Sequence, residues 1–139
     1  MKDILDIAFQ RGVRVEFADL GSRNGEYADG VVTINHRRPE HVQRIILAHE
    51  LGHHAHDHKP TENRHRKAFQ EREADRHAAR LLVDRITYQN AEQMYGPSVG
   101  AVAAELGVPA RYVEALRDVT LRGEWPPLCS MTHDERRLA

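Results

Sequence analysis

Cysteine is almost missing from this sequence. Cys129 stands alone, so no disulfide can form within the chain, and a reducing cytoplasm is the expected setting. Long hydrophobic runs are missing as well. No apolar stretch approaches the roughly 20 residues that a bilayer-spanning helix requires, so no membrane association is expected. Nor is one charge in excess: the 20 basic and 21 acidic side chains give a formal net charge of -1. That balance offers no bulk field for holding nucleic acid, and no direct nucleic-acid binding is expected. The opening stretch, MKDILDIAFQRGVRVEF, sets acids among its apolar residues and lacks a signal-peptide layout. Repeats, low-complexity tracts and internal linkers are absent. The 139 residues suggest one domain with one modest core over 1–128, then a flexible tail over 129–139.

Histidine, by contrast, is abundant, at 10 residues, and it clusters. The stretch AHELGHHAHDH, residues 48–58, holds five of them beside two acids. Periodicity places this stretch in the chain. Ile4, Leu5, Ala8 and Phe9 recur at helical spacing and predict a short helix over 2–11, ended by Gly12. Val13, Val15 and Phe17 alternate with polar residues, as in a strand. LGSRNG is turn chemistry, and EYADGVVTIN reads as a hairpin turning at Asp29-Gly30. A helix opens at Pro39-Glu40 and carries Val42, Ile45, Ile46, His49 and His53 to about His54. Residues 55–61 read as a loop, and a second long helix is predicted from about Glu62 to Val83. Helical pattern returns in YQNAEQMYG and SVGAVAAELGVPARYVEALRDV. The order predicts an α+β fold. A small N-terminal antiparallel sheet packs on a mostly helical core over 1–84, and helix-turn-helix-like C-terminal helices over 85–122 pack on it.

His49-Glu50-Leu51-Gly52-His53 is an HExxH motif. On a helix, positions i and i+4 share a face, so both imidazoles can reach one zinc ion. Glu50 is then placed to take a proton from water on the metal and pass it to a leaving amine. A shuffled chain of this composition would contain the motif about 6% of the time, so the flanks decide. RIILAHELGHH ties the histidines to an apolar, buried helix rather than to a solvated face. A third ligand is needed, because catalytic zinc sites commonly use three and keep a fourth position open. On the second long helix Glu71, Ala74, Asp75, Ala78 and Leu82 share one face, and Glu73, His77, Arg80 and Asp84 share the opposite one. The first face is small and apolar apart from its acids, as a helix packed on a metal helix would be. Glu71 is therefore the expected third ligand, and Asp75 the residue that hydrogen-bonds a ligand imidazole from behind. Glu73 reads as a surface residue. His54, His56 and His58 read as a polar turn, with substrate contact by His54 and an adventitious ion at His56 as the sharper alternatives.

RIILAHELGHH followed by EREADRHAARLL resembles the ImmA/IrrE family of zinc metallopeptidases, over about residues 25–120. The resemblance implies a zincin-like core and one zinc ion per chain, held by His49, His53 and Glu71, with Glu50 as catalytic base. It also implies a protein partner: a DNA-binding helix-turn-helix repressor encoded by a phage, mobile element or stress regulon, which is cleaved or otherwise inactivated. The alternative is a non-proteolytic antirepressor or toxin-antitoxin module whose zinc is structural or vestigial. Glu50 speaks for the peptidase, since a purely structural site needs no base.

Other segments have roles to weigh. Val31, Val32, Thr33, Ile34 and Asn35 form a candidate edge strand on which substrate adds as an extra strand; the bland reading is a strand that only covers the core. Tyr27, Tyr88 and Tyr95 are candidate donors to the oxyanion. The C-terminal helices set Arg111 and Arg117 among Glu114 and Asp118, so packing rather than phosphate contact is expected of them. Cys129 is either incidental or a thiolate that blocks the zinc.

Overall fold

The computed structural model describes residues 1–125; Cys129 and its blocking role lie outside the described residues. The chain divides into two compact units, one over Met1–Ala78 and one from Ala79 onward. The first holds α1 (Lys2–Gln10), β1 (Arg14–Ala18), β2 (Gly25–Ala28), β3 (Val31–Asn35), α2 (Glu40–Ala55) and the larger part of α3 (Arg64–Leu82). The α+β expectation holds. Ile4 and Ala8 of α1, Val32 and Ile34 of β3, and Ile46, Leu47 and Leu51 of α2 are buried. Their spacings are the helical and strand periods that the apolar pattern carries. α3 starts slightly later than that pattern suggests because Asn63 caps it. The Asn63 Oδ1 accepts from the Arg66 N–H at 3.0 Å.

The sheet departs from expectation twice. Its order is β1-β3-β2, with β3 parallel to β1 and antiparallel to β2. It is mixed rather than antiparallel. Val31, Val32, Thr33, Ile34 and Asn35 are consequently the central strand and not a substrate edge. The physical reason lies in their side chains. A run of β-branched residues suits a strand flanked on both sides, whereas GEYA of β2 stays half exposed. Asn35, fully buried, also anchors the connection between β1 and β2. Its Nδ2–H donates to the carbonyls of Gly21 at 3.0 Å and Arg23 at 2.7 Å, and its Oδ1 accepts from the Arg37 N–H at 3.0 Å. The edge that lies against α2 is β2. The Asn35 N–H donates to the Asn24 carbonyl at 2.9 Å. Antiparallel alternation then turns the N–H and C=O of Gly25 and Tyr27 off the free side of the sheet.

The second unit follows the end of α3 with α4 (Arg85–Tyr95), α5 (Val99–Leu106) and α6 (Ala110–Leu121). Asp84 and Ser98 cap α4 and α5 by accepting from the N–H groups of Thr87 and Ala101. Gly107, at φ 68°, makes the turn into α6. Ala91, Val102, Ala103 and Val113 form a buried cluster. The Arg117 guanidinium donates to both Glu92 oxygens, at 2.7 and 3.1 Å, so its charge is used within this unit rather than displayed.

Candidate metal centre

The site exists because α2 and α3 approach to backbone contact. A Cβ placed on Gly52 would lie 2.7 Å from both the Cα and the carbonyl oxygen of Ala74. Only glycine fits there. The contact sets Glu71, one turn before Ala74, beside the His49 and His53 face of α2.

His49 Nε2 lies 2.9 Å from Glu71 Oε2, His53 Nε2 lies 3.2 Å from Glu71 Oε1, and the two Nε2 atoms are 3.1 Å apart. Each imidazole nitrogen thus meets a different oxygen of the one Glu71 carboxylate, and one ligand atom from each of the three residues lies within 4.8 Å of the others. A tetrahedral zinc with bonds of about 2.0–2.1 Å spaces its ligand atoms about 3.3 Å apart. The residues fit that ion after a slight expansion. Two imidazole nitrogens facing each other so closely also require a proton or a cation between them. Asp75 Oδ1 is 3.0 Å from His49 Nδ1, which leaves Nε2 as the nitrogen turned toward His53 and Glu71.

The charges of the site interact strongly. Burial pulls the pKa of His49 down, but hydrogen bonds to Asp75 and Glu71 overcome it and raise it to about 9. Hydrogen bonds to His49 and then His53 hold the Glu71 carboxyl well below the usual carboxylate range. Burial pushes Glu50 up, against the pull of His49 and His53. Glu50, His53 and Glu71 line a cleft of about 330 Å³ together with Gly25, Tyr27 and Lys67. A Cβ on Gly25 would meet Ile46 Cγ2 at 2.5 Å and lie 3.7 Å from Glu50 Cγ, so the β2 edge runs directly beside the candidate base. Of the three tyrosines considered as donors, Tyr27 borders this cleft, with its hydroxyl 3.1 Å from His54 Nδ1. Tyr88 and Tyr95 donate their O–H groups to Glu92 at 2.6 Å and Glu105 at 3.2 Å.

The helical-face reading misjudged Glu73 and passed over His58. Glu73 is no free surface acid: its carboxylate lies 2.9 Å from His58 Nε2 and 3.3 Å from His56 Nδ1. The loop after α2 folds over that face of α3, and a wheel drawn for α3 alone cannot contain it. His58, expected in a polar turn, has a side chain only 8% exposed, and its Nδ1 is 2.9 Å from His53 Nδ1. A signal was present: His58 is the second residue beyond the C-cap of α2, a position that helix-ending motifs fold back on the last turn.

Residues 8–115 match the model of the Peptidase M78 family, described as the IrrE N-terminal-like domain. No curated protein matches the chain. Among the described residues, no helix is long and apolar enough to cross a membrane.

Proposed function

This chain belongs to the peptidase family of IrrE N-terminal-like domains, and on that premise we propose that it is a zinc-dependent endopeptidase of the cytoplasm that cleaves, and so inactivates, a helix-turn-helix repressor. The observation that carries the proposal is the convergence of His49, His53 and Glu71 beside Glu50, in a cleft bordered by a free strand edge. A bound zinc ion would supply a Lewis acid and an acidified water at its open position. His49, His53 and Glu71 would hold it, and Asp75 orients His49. Glu50, raised by burial, accepts a proton at its carboxylate and returns it to the leaving amine. The outward backbone groups of Gly25 and Tyr27 would take an extended peptide as an added strand along the cleft. Tyr27 is the proposed hydroxyl donor to the oxyanion, turning from His54 to substrate.

Elemental analysis should find about one zinc per chain in the wild type and in Glu50→Gln, and little in Glu71→Gln. Cleavage of a helix-turn-helix repressor from the same genetic element should fall by about 10²–10⁴-fold in Glu50→Gln. A Glu50→Gln protein that still inactivates the repressor without cutting it would replace the peptidase with a binding module.

A further inference from the structure

We propose that His58 and Glu73 are positioning residues for the metal: a hydrogen-bonded chain, His53–His58–Glu73, holds His53 as Asp75 holds His49. The inference rests on the zinc reading above and adds two residues to it.

The end of α2 builds the chain. The Asp57 N–H donates to the His54 carbonyl at 3.0 Å, and the His58 N–H donates to the His53 carbonyl at 3.0 Å. Asp57 sits in the left-handed region at φ 50°. This is the Schellman pattern, in which the residue after the left-handed one returns to the third-last helical residue, commonly through an apolar contact. In α2 those two residues are His58 and His53. The apolar contact is replaced by a ring nitrogen pair 2.9 Å apart. The geometry that ends the helix thus places an acceptor behind a metal ligand.

The protons then have one consistent arrangement. His53 turns Nε2 toward His49 and Glu71, so a metal there leaves the His53 proton on Nδ1. That N–H donates to His58 Nδ1, which must be unprotonated. The His58 proton therefore sits on Nε2 and donates to Glu73 Oε1 at 2.9 Å. A single tautomer of each ring satisfies both links and ends on a carboxylate. The side chains of His58 and Glu73 are only 8% and 20% exposed, so water competes poorly for these bonds.

His56, His58 and Glu73 also present ligand atoms within 4.8 Å of one another, and a second metal there is the rival reading. A metal on His58 Nε2 would leave the proton on His58 Nδ1, opposite the proton on His53 Nδ1. Two N–H groups would face each other across 2.9 Å. Occupancy of that cluster and ligation by His53 therefore oppose each other, and the hydrogen-bonded chain is the arrangement that keeps the zinc ligand.

Zinc competition against a chromophoric chelator tests this on the full chain. The variants are His58→Ala, Glu73→Ala, Glu73→Gln and His56→Ala, with the helix content of each metal-free protein followed by circular dichroism. The wild type should bind one zinc. Kd should rise about 10–100-fold in His58→Ala and Glu73→Ala, because supports behind zinc ligands carry effects of that size. Glu73→Gln keeps an acceptor and should recover part of the loss, and His56→Ala should bind as the wild type does. If an alanine variant loses helix content before metal is added, Glu73→Gln carries the comparison. A several-fold weaker Kd there supports the chain, and an unchanged one overturns it. Two zinc ions in the wild type, with only the weaker lost in Glu73→Ala and His56→Ala, would make the cluster a second metal site and overturn the positioning role. Equal affinity in all variants overturns this inference alone, whereas a wild type that binds no zinc overturns the peptidase reading with it.

Discussion

On the proposed function, one nitrogen of His49, Nε2, would be contested by a proton and a metal ion, with pH deciding between them. In the metal-free chain, burial lowers the pKa of His49, but Asp75 and Glu71 raise it to about 9. The folded value lies above the ordinary value of 6.5, so the stability these bonds contribute is complete below about pH 6.5 and is lost as pH rises through about 9. Glu71 has the opposite sign. Its folded value is depressed, so its contribution is complete above the ordinary value of 4.5 and is lost as pH falls. The metal-free wild type should therefore exceed His49→Gln in Tm most at pH 5–6.5, and the gap should shrink toward pH 9, as read by calorimetry in chelator. A gap that widens over that range would contradict the assignment. Zinc must displace the His49 proton, so its apparent affinity should rise with pH up to about 9.

At the scale of elements, the decisive feature is how closely α2 and α3 approach. A methyl group on Gly52 would press 2.7 Å from the Ala74 backbone, and relieving it means separating the two helices. Overpacking of this kind costs about 1–3 kcal/mol. Gly52→Ala should lower Tm and weaken zinc binding, because the separation carries Glu71 away from His49 and His53. Gly100→Ala makes a useful contrast. A Cβ there meets nothing within 4 Å, and the site is helical, so Tm should hold or rise slightly. Thermal melts and zinc competition on both variants check the pair, and equal zinc affinity in wild type and Gly52→Ala would refute the coupling. The same scale explains the misplaced edge. Alternation marks VVTIN as a strand, but it does not say which neighbours the strand takes. The connection fastened by Asn35 brings β1 to its far side and leaves β2 at the rim.

For the molecule as a whole, a metal that binds only the folded chain must raise its stability. Free zinc at a hundredfold excess over Kd adds about 2.7 kcal/mol, roughly 9 °C in Tm for a chain of this length. A chelator should remove that increment from the wild type and leave Glu71→Gln almost unchanged; a chelator-insensitive wild type would argue against a folded-state zinc site. The sequence by itself determined the helix that carries His49, Glu50 and His53, the α+β class, and the pairing of Glu71 with Asp75 on one face. These follow from spacings of a few residues, where backbone geometry alone sets which side chains stand together. Only the tertiary structure decided that β3 is central, that β2 borders the base, and that His58 and Glu73 stand behind His53. Each of those depends on what another segment lays across a face: a strand brought in by a connection, or a loop folded back where Asp57 turns left-handed. Periodicity along one element carries no information about its cover, because the cover is made by residues outside that element.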